Sequence, residues 1–164
     1  EMTVRPFVSW PDKRLRTAVP EVAEITDEIR LIWADMVETM DAMPGVGLAA
    51  PQIGVMMQLA IVDASPDRKR RILLANPTIL STSEEMNTHD EASPNLPGVS
   101  AIIKRPKNVS VRYLNEDGVI TRGDFTGLEA TSVQHQIDHL QGKMYFDNLG
   151  RVKRDMLLRK ARKT

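Results

Sequence analysis

Apolar residues recur at Ile25, Ile29, Ile32, Trp33, Met36, Val37, Met40 and Met43, with acidic and polar residues between them. That interval belongs to one buried helical face and predicts a helix over residues 25–43. Thr26 stands where a cap is needed, and Pro44-Gly45 stops the helix. Its methionines and Trp33 are expected to face the core, where a flexible thioether fills gaps. Shorter runs at 58–63, 72–75, 102–104, 108–114 and 119–125 read as strands. The last two flank Asn115-Glu116-Asp117-Gly118, a hairpin turn in which Gly118 can take a positive φ. Residues 127–141 return to helical spacing, with Leu128, Val133, Ile137, Leu140 and Met144 on or near the apolar stripe, and residues 151–163 predict a third, basic helix. Helices at both ends with short antiparallel strands between them define an α+β arrangement rather than a parallel doubly wound sheet.

The chain has 164 residues, enough to bury a core without disulfides or structural zinc. One domain over residues 2–164, ending in the basic helix 151–163, is the economical expectation, with Glu1 left outside it. No run approaches the ~18 apolar residues of a membrane span, and no basic segment leads into an apolar one as in a signal peptide. Cysteine is absent, which removes disulfides, thiolate ligands and cysteine nucleophiles together and fits a cytoplasmic protein. The net charge is zero, yet residues 151–164 hold seven Lys or Arg against one Asp, so +6 at this end is balanced by −6 elsewhere. Such an end suits an anionic partner such as RNA, with a solvated helix face as the plainer alternative.

Within the second helix, Gln134-His135-Gln136-Ile137-Asp138-His139-Leu140 places two histidines at i and i+4, one above the other, so that His135 and His139 can hold one metal ion together. In an HExxH hydrolase the residue at position 136 would be a glutamate that takes a proton from metal-bound water and passes it to the leaving group. Gln136 can do neither. Asp138 points about 100° away from His139, given about 3.6 residues per turn, and reads as a supporting or packing group.

Gly45-Val46-Gly47-Leu48-Ala49-Ala50-Pro51-Gln52 is a loop of small residues whose backbone can approach a ligand closely. It lacks the Lys-Ser/Thr ending of a phosphate loop, so nucleotide binding is rejected. Combined with the histidine helix, this loop makes the chain resemble the peptide deformylase family, metallohydrolases that remove the formyl group from N-terminal formylmethionine of nascent polypeptides. Trp10-Pro11-Asp12 with Arg14-Leu15-Arg16 is similar to the family's opening Tyr-Pro-Asp-x-x-Leu-Arg. Residues 45–52 match its first motif throughout, and Asn76-Pro77, Val111-Arg112-Tyr113 with Asp117-Gly118, and residues 134–142 fall in register. The likeness is nearly full length. It implies the deformylase fold, with short antiparallel strands around a central metal-site helix, and a divalent metal, iron or zinc.

The departures fall on chemistry. Where the family's second motif reads Glu-Gly-Cys-Leu-Ser, a residue, then Pro-Gly, this chain has Glu91-Ala92-Ser93-Pro94-Asn95-Leu96-Pro97-Gly98. Ser93 occupies the thiolate position, and a protonated hydroxyl binds a divalent ion weakly, so the site is left with a reduced third anchor or with no metal at all. The resemblance assigns oxyanion binding to the Gln52 amide and to the backbone N–H of the residue after the cysteine; Pro94 has none to give. Loss of acid–base help costs ~10²–10⁴ in rate, and loss of one oxyanion donor ~10²–10³. Together they imply roughly 5 kcal/mol or more of lost transition-state stabilisation, with the reservation that losses within one catalytic unit do not simply add. Ala92, Pro94 and Asn95 beside Ser93 point to natural divergence, since a designed trap would leave neighbouring positions intact.

The resemblance also places Val46, Gly47, Glu91 and Arg105 near bound substrate. Glu91 has an alternative role as a carboxylate ligand beside the two histidines, and Arg105 an equal alternative as its salt-bridge partner. His89 lies ~13 Å along a strand from Ser93, too far to join the same ion, and is expected to be a partly exposed surface histidine. Thr131 and Ser132, if they line the methionine pocket, make it more polar than usual for the family. Three functions remain open on these residues: a deformylase-like protein with little or no activity, an active hydrolase with an oxygen-supplemented metal site, and a module binding formylated or free peptide N-termini or ribosomal RNA.

Overall fold

The computed structural model describes residues 3–163, so Met2 and Thr164, the ends of the expected domain, lie outside the described residues. Helix α1 spans Asp27–Ala42, and Thr26 caps it by accepting from Ile29 N at 3.2 Å. Strand β1 (Gly47–Ala49) and a 3-10 turn at Ala50–Ile53 carry the small-residue loop into β2 (Leu59–Val62). Strands β3 (Ile72–Thr82), β4 (Met86–Ser93), β5 (Leu96–Pro106), β6 (Asn108–Leu114) and β7 (Ile120–Thr126) follow. Helices α2 (Gly127–Leu140) and α3 (Arg151–Ala161) complete the order.

The strands form a five-stranded antiparallel sheet, β1-β2-β3-β6-β7, and a separate β4-β5 hairpin. Strand alternation explains why β2 is buried along its whole length. Leu59 and Ile61 pack with Ile29, Trp33, Met36 and Met40 of α1, whereas Val62 packs with Val133 and Ile137 of α2. Trp33, Met36 and Met40 are thus core residues as the periodicity predicts, while Met43 is only partly buried. Gly118 takes the expected positive φ, 74°, in the β6–β7 turn.

Three expectations need correction. β3 runs to Thr82 instead of ending at Ala75, β5 covers Leu96–Pro106 instead of 102–104, and β1 adds a strand within the glycine loop. The apolar pattern fails there because the outer half of β3, residues 78–82, is exposed at every position, Ile79 and Leu80 included, and because β4 and β5 face inward with Glu91, Ser93 and Arg105.

The N-terminal segment lashes the site elements together. Val8 N donates to Gln52 O at 2.9 Å, Trp10 N to Asn95 O at 2.8 Å and Val19 N to Leu140 O at 3.0 Å. Helix α3 is held to β5 through Leu157, which is buried with Leu96, Val99, Ile103, Tyr145 and Phe146. Its basic side chains Arg151, Lys153, Arg159 and Lys160 are exposed.

Candidate active site

A cavity of about 340 Å³ lies between the glycine loop, β4 and α2. Gly45, Val46, Gly47 and Gln52 border it on one side, His89, Glu91 and Pro94 on a second, and Thr131, Ser132, His135 and Gln136 on a third. The loop meets α2 with no room for a side chain: a Cβ on Gly47 would stand 2.4 Å from Ser132 Oγ and 2.5 Å from Gln136 Nε2. Ser132 Oγ also donates to Val46 O at 2.9 Å, which fixes the loop on the helix.

His135 and His139 project from α2 with their Nε2 atoms 3.1 Å apart. Two imidazole nitrogens on one tetrahedral zinc stand about 3.3 Å apart, so the pair keeps a spacing an ion can bridge. Behind His135, Nδ1 lies 2.8 Å from Glu91 Oε1. The carboxylate holds the proton on Nδ1 and turns the Nε2 lone pair toward His139. Glu91 is in turn gripped by Arg105, Nε to Oε2 at 2.8 Å and Nη2 to Oε1 at 3.0 Å, and Arg105 Nη1 reaches Asp138 Oδ2 at 2.9 Å. Burial alone would raise the Glu91 pKa, but hydrogen bonds from His135 and Arg105 outweigh it and hold the group below the usual carboxylate range. Burial, with the charges of His135 and Arg105, pushes His139 well below the ordinary histidine value, leaving a neutral ring at neutral pH. Tyr145 stacks on His135 at 6.0 Å between ring centroids.

The third corner of the site is a hydrogen-bonded knot. Pro94 and Asn95 form the two-residue turn between β4 and β5. Ser93 Oγ donates to Asn95 Oδ1 at 2.9 Å, and Gln52 Nε2 donates to the same oxygen at 2.8 Å. Gln52 Oε1 accepts from Ala49 N at 2.9 Å. Asn95 Nδ2 donates to Val8 O at 2.6 Å and Gln52 O at 3.0 Å. Ser93 Oγ and the Gln52 amide are therefore both paired with Asn95.

The donor set fits a metal only in part. Two imidazoles face one point, but among the described residues no group of three or more His, Cys, Asp or Glu is arranged around an ion. Glu91 cannot complete the set, because its carboxylate lies on the Nδ1 side of His135, away from the paired Nε2 atoms, and both its oxygens are bound. These contacts make Glu91 a group that orients His135.

Val46, Gly47, Gln52, His135 and Gln136 all reach the cavity, as does Glu91 with its carboxylate tied behind His135. Arg105 lies outside the cavity lining and meets it through Glu91, while its other hand holds Asp138. Asp138 holds the supporting place its helix position implies. His89 is partly exposed as expected but is no idle surface group, since its Nδ1 lies 3.0 Å from Thr131 Oγ1 on the cavity wall. Tyr145 carried no signal along the chain. The departure at position 95 was visible, but its reach to Gln52 requires the fold.

Residues 4–155 match the family described as polypeptide deformylase. Peptide deformylase of Methylocella silvestris is 40% identical over 167 residues, covering 99% of this chain and 85% of the relative. That of Acinetobacter baumannii strain SDF is 38% identical over 162 residues, covering 99% and 92%. The crystal structure of Ehrlichia chaffeensis peptide deformylase in complex with actinonin superposes with a TM-score of 0.92 at 33% identity, covering 99% of this chain and 98% of that one. The Legionella pneumophila peptide deformylase structure gives 0.91 at 35%, covering 98% and 95%. The fold and these matches place the chain in a family whose members are metal-dependent hydrolases. The chain belongs to the peptide deformylase family.

Proposed function

We propose that this family member binds the N-termini of polypeptides, formylated or free, and has lost most or all of its formyl hydrolysis. One observation carries the reading: Pro94 and Gln136, at the positions the resemblance gives to the oxyanion donor and the proton carrier, line one cavity with Gln52, whose amide is bound together with Ser93 to Asn95. A cavity still enclosed by loop, strand and helix suits a peptide end. The role is a cytoplasmic one, in keeping with a cysteine-free chain.

Turnover of a formyl-Met peptide in the presence of Fe(II), Ni(II) or Zn(II) is the direct test. A rate within tenfold of an ordinary family member refutes the loss of hydrolysis.

Two specific features support further readings. The facing Nε2 atoms of His135 and His139 favour residual metal binding, with an oxygen ligand from residues 90–95. Stoichiometric metal in the purified protein, lost on His135→Ala, supports an altered but working hydrolase, whereas an empty site favours the binding protein. The exposed cations of α3 favour contact with ribosomal RNA. Because Leu157 is part of the core, charge reversal at Lys153, Arg159 and Lys160 tests this better than deletion; RNA binding that survives it, or that ignores salt, counts against the contact.

A further inference from the structure

The cavity has an apolar entrance and a polar inner wall. Met43, Val46 and Leu128 stand at the partly exposed rim. Inside are Thr131 and Ser132, each more than nine-tenths buried, with Gln136 one helical turn on and His89 facing them from β4. This wall is not hydrogen-bonded to completion. Thr131 and His89 satisfy one another once, through Oγ1 and Nδ1 at 3.0 Å, and Ser132 spends its proton on Val46 O. Each hydroxyl keeps acceptor capacity. Gln136 Oε1 is buried without a hydrogen-bond partner among the described residues.

An apolar side chain entering this space strips water from those groups and returns nothing, which selects against it. A side-chain carboxamide brings two N–H donors and one acceptor, matching the hydroxyls and the Gln136 amide. Charge disfavours an acid, because Asp90 stands on the lining beside Glu91.

Resting on the reading that the cavity takes a peptide end, we infer that His89, Thr131, Ser132 and Gln136 make it selective for a first residue with a neutral hydrogen-bonding side chain, of the glutamine and asparagine class, over methionine.

The experiment is calorimetric titration of the full chain with N-formyl-Xaa-Ala-Ser amides in which Xaa is Gln, Met, norleucine, Glu or Lys. The formyl cap also keeps an N-terminal Gln from cyclising. Gln is expected to bind at least about fivefold more tightly than Met and norleucine, the effect of leaving even one buried polar group unpaired. The near-isosteric Thr131→Val should narrow that ratio, and Thr131→Val with His89→Ile should reverse it, with a thermal melt confirming that each variant is folded. Tightest binding by Met or norleucine overturns the inference and leaves peptide binding standing. Tightest binding by Lys or Glu overturns the neutral selection. Absence of binding by every peptide at millimolar concentration removes the proposed peptide-binding function and this inference with it.

Discussion

The Gln52 carboxamide donates from Nε2 to Asn95 Oδ1 at 2.8 Å, across 43 positions of chain. Asn95 is 1% exposed and also serves Val8 O, Gln52 O and Ser93 Oγ, so one side chain pairs four groups from three segments. Asn95→Leu should strip this partner from the buried Val8 carbonyl and the Gln52 amide, while Gln52 O keeps the Val8 N–H, at a cost of about 2–6 kcal/mol when each orphaned group costs ~1–3 kcal/mol. Urea unfolding measures it; a change under about 0.5 kcal/mol would mean that water replaces the side chain.

The same contact bears on recovery of chemistry. Ser93→Cys, Pro94→Leu and Gln136→Glu together restore the anchor, the main-chain N–H and the proton carrier, and should raise formyl-Met peptide turnover by ~10² or more with Ni(II) or Fe(II) supplied. Adding Asn95→Ser should raise it again by releasing the Gln52 amide. A triple variant as slow as the parent, with metal bound, would place the defect elsewhere in the pocket.

Helices α1, α2 and α3 and the β6–β7 hairpin were legible because each buries a periodic apolar stripe or turns on a glycine. The β4–β5 hairpin was not, since its inward positions Glu91, Ser93 and Arg105 are polar, Glu91 and Arg105 satisfied by each other and by α2 and Ser93 by Asn95. The site divides along similar lines. His135 and His139 share one helix, so spacing alone brought them together. The pairing of Gln52 with Asn95, and of His89 with Thr131, joins elements whose meeting depends on the whole fold.

Stability should fall in mild acid because of His139. Its folded pKa is depressed well below the ordinary 6.5, by burial first and then by the charges of His135 and Arg105. The unfolded chain therefore binds the proton more readily below about pH 6.5, and stability drops with pH from there by up to about 1.4 kcal/mol per unit. Denaturant unfolding from pH 7.5 to 5 should show this slope, reduced in His139→Asn. An unchanged slope would assign the acid sensitivity to other groups.

The buried pair of Glu91 and Arg105 offers the sharpest separation of a positioning role from a direct one. Arg105 is 5% exposed and Glu91 6%, and Asp138 and His135 complete their hydrogen bonds. Arg105→Met leaves an uncompensated carboxylate behind His135 and should cost about 3–5 kcal/mol, the usual result of breaking such a pair. Adding Glu91→Gln removes the stranded charge and should return much of that loss, although Asp138 still lacks its guanidinium. Because Arg105 lies outside the cavity lining, peptide affinity in the folded double variant should stay within about threefold of the parent, less than the effect of one hydrogen bond to a charged group. A larger loss of affinity, with stability restored, would show that the Arg105 guanidinium or the Glu91 carboxylate reaches the bound peptide directly.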